Sequence, residues 1–218
     1  MMTKLLLLGG RILSSSTYEL THEKIIESGK RLFIEKGYER ANLREICKGA
    51  GITTGAFYRH FKDKESLFSA LVEPAIQGLR EKYSIAEDKC FDYILEGSLE
   101  KVWNVSAEVL HEFINYMFDH FDCFKLLLQC SDGTKYVNFT DWMVEEEIKD
   151  TLKMYDILEE KGIEFNRISM KEIHMIVHSY YSCIFETVLH DYKREEALQC
   201  VNTLSTFFSE GWRKIIGL

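Results

Sequence analysis

One proline in 218 residues, Pro74, is the feature that most limits what this chain can become. Apolar residues recur along it at three- and four-residue spacing, the period of a helix face. With 13 glycines and no sustained apolar/polar alternation, it lacks both the turn residues and the pattern of a β-sandwich or barrel. The fold class this implies is all-α. At 46% hydrophobic residues there is enough apolar material for a full core. The six cysteines, Cys47, Cys90, Cys123, Cys130, Cys183 and Cys200, sit inside helical patterns with no CxxC pair. That distribution suits reduced thiols in a cytoplasmic protein better than a disulfide framework.

The chain opens on "MMTKLLLLGGRILSSS", which only faintly imitates a leader: the run Leu5–Leu8 stops at Gly9, Gly10 and Arg11. No later segment approaches a membrane span. Residues 1–20 therefore read as a flexible arm. Charge divides the remainder. From Thr21 to Glu65 there are ten Lys or Arg against seven Asp or Glu, although the whole chain carries −8. A locally basic head on an acidic body suits a small nucleic-acid-reading unit on a body with another task. We expect the head at 21–66 and the body at 67–218.

Within the head, Thr21 is a plausible N-cap for a first helix with Ile25, Ile26, Gly29, Leu32 and Phe33 on one face and Gly37 at its end. Asn42 caps a second helix that buries Leu43, Ile46, Cys47 and Ala50. Gly51 then supplies the left-handed residue of a tight turn. A third helix is expected from about Thr53 to Phe61, anchored by Ile52, Phe57 and Phe61. Two short helices joined through "AGI" and braced by a first make a helix-turn-helix. Such a unit puts the N-terminal end of its last helix into the major groove. Thr54, Gly55 and Ala56 are small enough for close approach, while Tyr58, His60 and Lys64 can reach phosphate oxygens and Arg44 a base edge or the backbone.

At these residues a resemblance is plain. The stretch "LFIEKGYERANLREICKGAGITTGAFYRHFKDKESLF" resembles the DNA-binding head of the tetracycline-repressor (TetR) family. The resemblance implies a helical transcriptional regulator, usually a repressor, acting as a homodimer on a palindromic double-stranded operator and released by a small-molecule inducer. By position it implies that Arg44, Thr54, Gly55 and Ala56 face bases, while Thr53, Tyr58, His60 and Lys64 hold the backbone. Asn42 stands where Thr or Ser is common, and Cys47 where Ala is common.

The body's periodicity predicts helices near 64–83, 88–102, 106–121, 122–130, 139–161, 169–190 and 193–216, with Pro74 kinking or loosening the first. Trp103, His111, Phe113, Met117, His120, Trp142, Tyr181 and Phe185 are the candidate lining of an aromatic pocket for an apolar or flat inducer. The same residues would equally fill a core. The last two helices carry long apolar stripes, from which Ile173, Val177, Tyr180, Ile184, Leu204, Phe208 and Trp212 are the expected dimer interface. His174 and His178 lie four apart on one face, but "HMIVH" has no third ligand nearby, so neither a metal nor a cofactor is expected. No nucleophile–base motif or phosphate loop accompanies His111, His120, His174 or Cys183, which argues against an enzyme. The same regulator governed by a protein partner instead of a small ligand is the alternative.

Overall fold

A computed structural model describes residues 17–218, and within it the side chains of residues 103–107 are not described. The sequence reading of residues 1–16 as an arm lies outside the described residues. Among these, nine α-helices are found and no strand: α1 (Thr17–Lys36), α2 (Leu43–Gly49), α3 (Thr54–Phe57), α4 (Lys64–Leu95), α5 (Leu99–Asp119), α6 (Phe121–Gln129), α7 (Phe139–Glu160), α8 (Met170–Leu189) and α9 (Arg194–Ile216). All-α is therefore the fold class, with the helix-turn-helix in α1–α3.

Three boundaries differ from the sequence reading. The first helix starts at Thr17, inside the expected arm. Thr21 is then an interior residue whose hydroxyl donates to the Thr17 carbonyl at 2.8 Å. The third helix is one turn long, ending at Phe57. Residues 58–60 form a turn in which the His60 amide donates to the Phe57 carbonyl at 2.8 Å.

The third difference is the largest. No break separates Tyr83 from Asp88, and α4 runs 32 residues through Pro74 without interruption. Its stop falls at Glu96 and Gly97, where a φ of +76° at Gly97 suits a residue without a Cβ. A helix tolerates a proline where the freed carbonyl can reach water, and residue 70, four before Pro74, is exposed.

Head and body share one core. Ile25, Phe33, Ile46 and Phe57 belong to the same buried cluster as Phe124, Met143, Ile184 and Val201. Close packing across α1 and α4 depends on Gly29: a Cβ there would lie 2.7 Å from Leu67 Cδ2. The Tyr38 amide donates to the Cys130 carbonyl at 3.0 Å, and Lys30 pairs with Asp122 at 3.2 Å, so α6 is tied directly to the head. A second, smaller cluster of Phe91, Ile94, Val102 and Leu158 closes the far end of α4. No described helix is long and apolar enough to cross a membrane.

Candidate nucleic-acid interface and body cavity

Each short helix of the head is fixed by its own cap. The Asn42 side chain accepts from the Arg44 amide at 2.8 Å, and Gly51, with φ of +68°, turns the chain into Thr53. The Thr53 hydroxyl accepts from the Ala56 amide at 3.2 Å, which spends a lone pair and leaves its own proton free to donate. Phe57 is wholly buried and pins α3 to the core, so the opposite side of that turn faces outward. Arg44, Thr53, Gly55 and Tyr58 are exposed there, and Thr54 and Ala56 are half-buried. A Cβ built on Gly55 would meet nothing closer than Thr53 Oγ1 at 3.9 Å. Packing does not demand glycine at that position.

Two of the expected backbone contacts stand differently. Lys64 Nζ donates to the carbonyls of Tyr38, Ala41 and Glu39 at 2.6, 3.1 and 3.4 Å, and lies 4.1 Å from the centre of the Tyr38 ring. All three ammonium protons are thereby engaged. Burial, partly offset by Glu39, pushes its pKa down. Lys64 thus ties the α1–α2 loop to α4, and to hold a phosphate it would have to give up one of those carbonyls.

His60 is stacked on Tyr18 at 4.1 Å between ring centres, with His22 at 5.6 Å beyond it. Burial first, then His22 and Arg59, hold its pKa below the ordinary value. Its Nδ1 is buried without a partner. A neutral ring stacked against α1 packs the end of the recognition turn and offers little to an anion. Cys47 is buried against Thr54, with which it forms a hydrogen bond, and burial raises its pKa. Packing, not reactivity, accounts for it.

In the body, α4, α5, α7, α8 and α9 surround a cavity of about 300 Å³. Its walls include Phe91, Phe113, Met143, Tyr180, Phe208 and Trp212. Of the expected lining residues, Phe113 and Tyr181 are present. Five others are elsewhere. His111 Nε2 meets Asn202 Oδ1 at 2.5 Å, joining α5 to α9. Met117 and Phe185 are core. The His120 ring lies tilted against Tyr116 at 4.5 Å between centres, and Trp142 lies under Arg80 at 4.8 Å. The Trp103 side chain lies outside the described residues.

A polar group that the sequence reading missed sits in the cavity wall. Tyr83 Oη donates within reach of Glu147 Oε2 at 3.1 Å and Asp150 Oδ2 at 2.7 Å, and Tyr181 Oη donates to Glu147 Oε2 at 3.1 Å. Burial raises the Glu147 pKa and pushes Asp150 up to about 6. Burial likewise raises the Cys90 thiol to about 11. The i, i+3 spacing of Glu147 and Asp150 in "VEEEIKD" was the available signal.

The expected dimer stripe also divides. Ile173, Val177 and Ile184 point into the chain's own core, while Tyr180, Phe208 and Trp212 are half-buried and line the cavity. Leu204 is half-buried. The apolar groups actually outward on α8 and α9 include Met175 at 62% and Phe207 at 71% exposure. His174 and His178 stack at 5.9 Å, and no group of three metal-ligating side chains occurs among the described residues.

Residues 25–71 match the family model described as bacterial regulatory proteins, tetR family. The AcrR regulator of Shigella flexneri is 47% identical over 53 residues, covering 24% of this chain and 25% of AcrR. The TetC protein of transposon Tn10 in Escherichia coli is 27% identical, covering 47% of each chain. The chain thus spans less than half the length of these curated relatives. The negative regulator IcaR of Staphylococcus epidermidis is 29% identical over 62% of this chain and 69% of its own. Among solved structures, NalD, the secondary repressor of the MexAB-OprM multidrug efflux pump in Pseudomonas aeruginosa, has a TM-score of 0.53 at 18% identity, covering 92% of this chain and 98% of NalD. PfmR of Thermus thermophilus has a TM-score of 0.52 at 18% identity over 85% of this chain and 97% of its own. Such identities speak for the fold alone. Together, the family model, the sequence relatives and the fold support a TetR-type regulator.

Proposed function

We propose that this chain, TetR-type in its head and in its fold, is a transcriptional repressor. It binds a palindromic operator as a homodimer and is released by a small organic inducer. The observation that carries the release step is the continuity of α4. Leu67 and Phe68, near its N-terminal end, are wholly buried in the core shared with the head. Tyr83, Cys90 and Phe91, several turns further on, line the cavity. A rigid helix of 32 residues, about 48 Å long, converts a change of packing at one end into movement at the other. An inducer that fits the cavity better when the heads are spaced wrongly for two successive major grooves shifts the population away from the DNA-bound form.

On DNA, the outward face of α2 and α3 enters the groove. Arg44, Thr54 and Ala56 reach base edges there, and Thr53 and Tyr58 hold phosphates, as does Lys64 if it releases a carbonyl. Gly55 permits the approach. The test is selection of an operator from a random duplex pool by the purified chain, followed by affinity and thermal unfolding of Gly55→Leu. Because a Cβ at Gly55 would meet nothing closer than 3.9 Å, the melting temperature should be unchanged or higher. Operator affinity should fall at least about tenfold, or about 1.4 kcal/mol. Failure of the pool to converge on a two-fold symmetric sequence, or full affinity in Gly55→Leu, would reject the reading.

A further inference from the structure

The cavity wall is charged unevenly. It takes carboxylates from Glu87, Glu112, Glu147 and Asp150, against one cation, Lys82. Glu87 is neutralised by Lys153 at 3.1 Å, and Lys82 leans toward the Tyr116 ring at 5.6 Å. Among the described residues neither Glu147 nor Asp150 makes an ion pair. Their hydrogen-bond donors include the hydroxyls of Tyr83 and Tyr181, each with one proton, and Asp150 also shares a side-chain hydrogen bond with Glu87. The Tyr83 proton lies closer to Asp150, at 2.7 Å, than to Glu147, at 3.1 Å. The two phenol protons therefore leave the half-buried carboxylates of Glu147 and Asp150 without a cationic partner, beside a third carboxylate at Glu87.

An under-compensated carboxylate in an apolar setting is costly unless an opposite charge comes to it or a proton neutralises it. The surrounding surface is suited to the first solution. Tyr180, Tyr181, Trp212, Phe91 and Phe113 present aromatic rings to the same space, and ring faces attract cations. At about 300 Å³ the space is at the small end of drug-sized sites.

We propose that the cavity ligand is a lipophilic organic cation, its charge held at Glu147 and Asp150 and its aryl or alkyl groups against the aromatic wall. This rests on the reading of the cavity as the inducer site, and it names the ligand's chemical class.

Tetraphenylphosphonium and tetraphenylborate have nearly the same shape and opposite charge, so calorimetric titration of each into the full chain isolates the sign. The phosphonium should bind at least about tenfold more tightly than the borate. Glu147→Gln, close to isosteric, and Asp150→Asn should each lower phosphonium affinity at least about tenfold. Neither should lower the thermal unfolding midpoint of the free protein by an amount that would signal loss of the cavity. Equal or tighter borate binding overturns the proposal. So does absence of binding by either ion at its solubility limit, or unchanged phosphonium affinity in both variants. Operator binding measured without either ion is the separate control. If it is lost while phosphonium selectivity holds, the repressor reading falls and the cation site stands. If the operator binds and the borate wins, the reverse is true.

Discussion

At the scale of single residues, a side chain's type told less than its neighbours did. Lys64 has the charge and position to hold a phosphate, and by resemblance it should. Its ammonium instead donates to three carbonyls of the α1–α2 loop, an arrangement visible only once residues 38–41 and 64 are brought together. A charged donor to backbone carbonyls is worth about 1–3 kcal/mol. Lys64→Ala should therefore destabilise the free protein by that order in denaturant unfolding, before any effect on DNA is considered. An unfolding midpoint equal to wild type, with loss of operator affinity only, would restore the phosphate role as the main one. His60 was misjudged for a similar reason. Tyr18, which stacks on it, lies 42 positions earlier in a segment expected to be a loose arm. Arg44, Thr53 and Gly55, whose setting depends on local caps and one turn, were legible.

At the scale of elements, helix type was readable from period and caps, while helix ends depended on tertiary partners. The apolar pattern around Tyr83 to Asp88 weakens because Tyr83 and Glu87 face a cavity lined partly by carboxylates, so the period looks broken where the helix is continuous. That cavity also predicts a pH dependence. Asp150 is raised from 3.8 to about 6, so the folded protein holds its proton over that interval and the unfolded chain releases it. Folding stability from this group is present below the lower value and is lost as pH rises through about 6. The groups that face it or share its wall are Tyr83, Glu87, Lys82 and Cys90 on α4, Glu112 on α5, Glu147 on α7 and Tyr180 and Tyr181 on α8. Asp150→Asn removes the penalty. Relative to wild type, the variant should gain roughly 1–2 kcal/mol between pH 4 and 7, after allowance for the group's partial exposure. Parallel unfolding curves for the two proteins across that range would show that Asp150 titrates normally.

At the scale of the whole molecule, the apolar stripes of the last two helices divide between the chain's own interior and its surface. A stripe long enough for two faces did point to the last two helices. Most of the residues chosen from it, however, fill the chain's own core or its cavity. The face left over carries Phe207 and Met175, which are well exposed in the single chain. Phe207→Glu should leave the folding stability within about 0.5 kcal/mol of wild type, since an exposed side chain contributes little to the fold. It should convert a dimer to monomer in light scattering and weaken operator binding by loss of linked half-sites. A dimer of unchanged strength would mean that association uses another face.

What the sequence determined by itself was whatever a short window controls. A helical period with a single proline dictated an all-α chain. Asn42, Gly51 and Thr53 dictated two capped short helices and the turn between them, and with these came the outward set from Arg44 to Tyr58. Only the tertiary structure decided what each periodic face would meet. It turned the stripe of Ile173, Val177 and Ile184 inward, spent Lys64 on a loop, and opened a space between helices where Glu147 and Asp150 answer to two tyrosines. Local rules act over three or four residues along the chain. Burial and charge compensation act across contacts between residues far apart in the chain, 67 positions for Tyr83 and Asp150 and 91 for His111 and Asn202, and no short window of the sequence contains both partners.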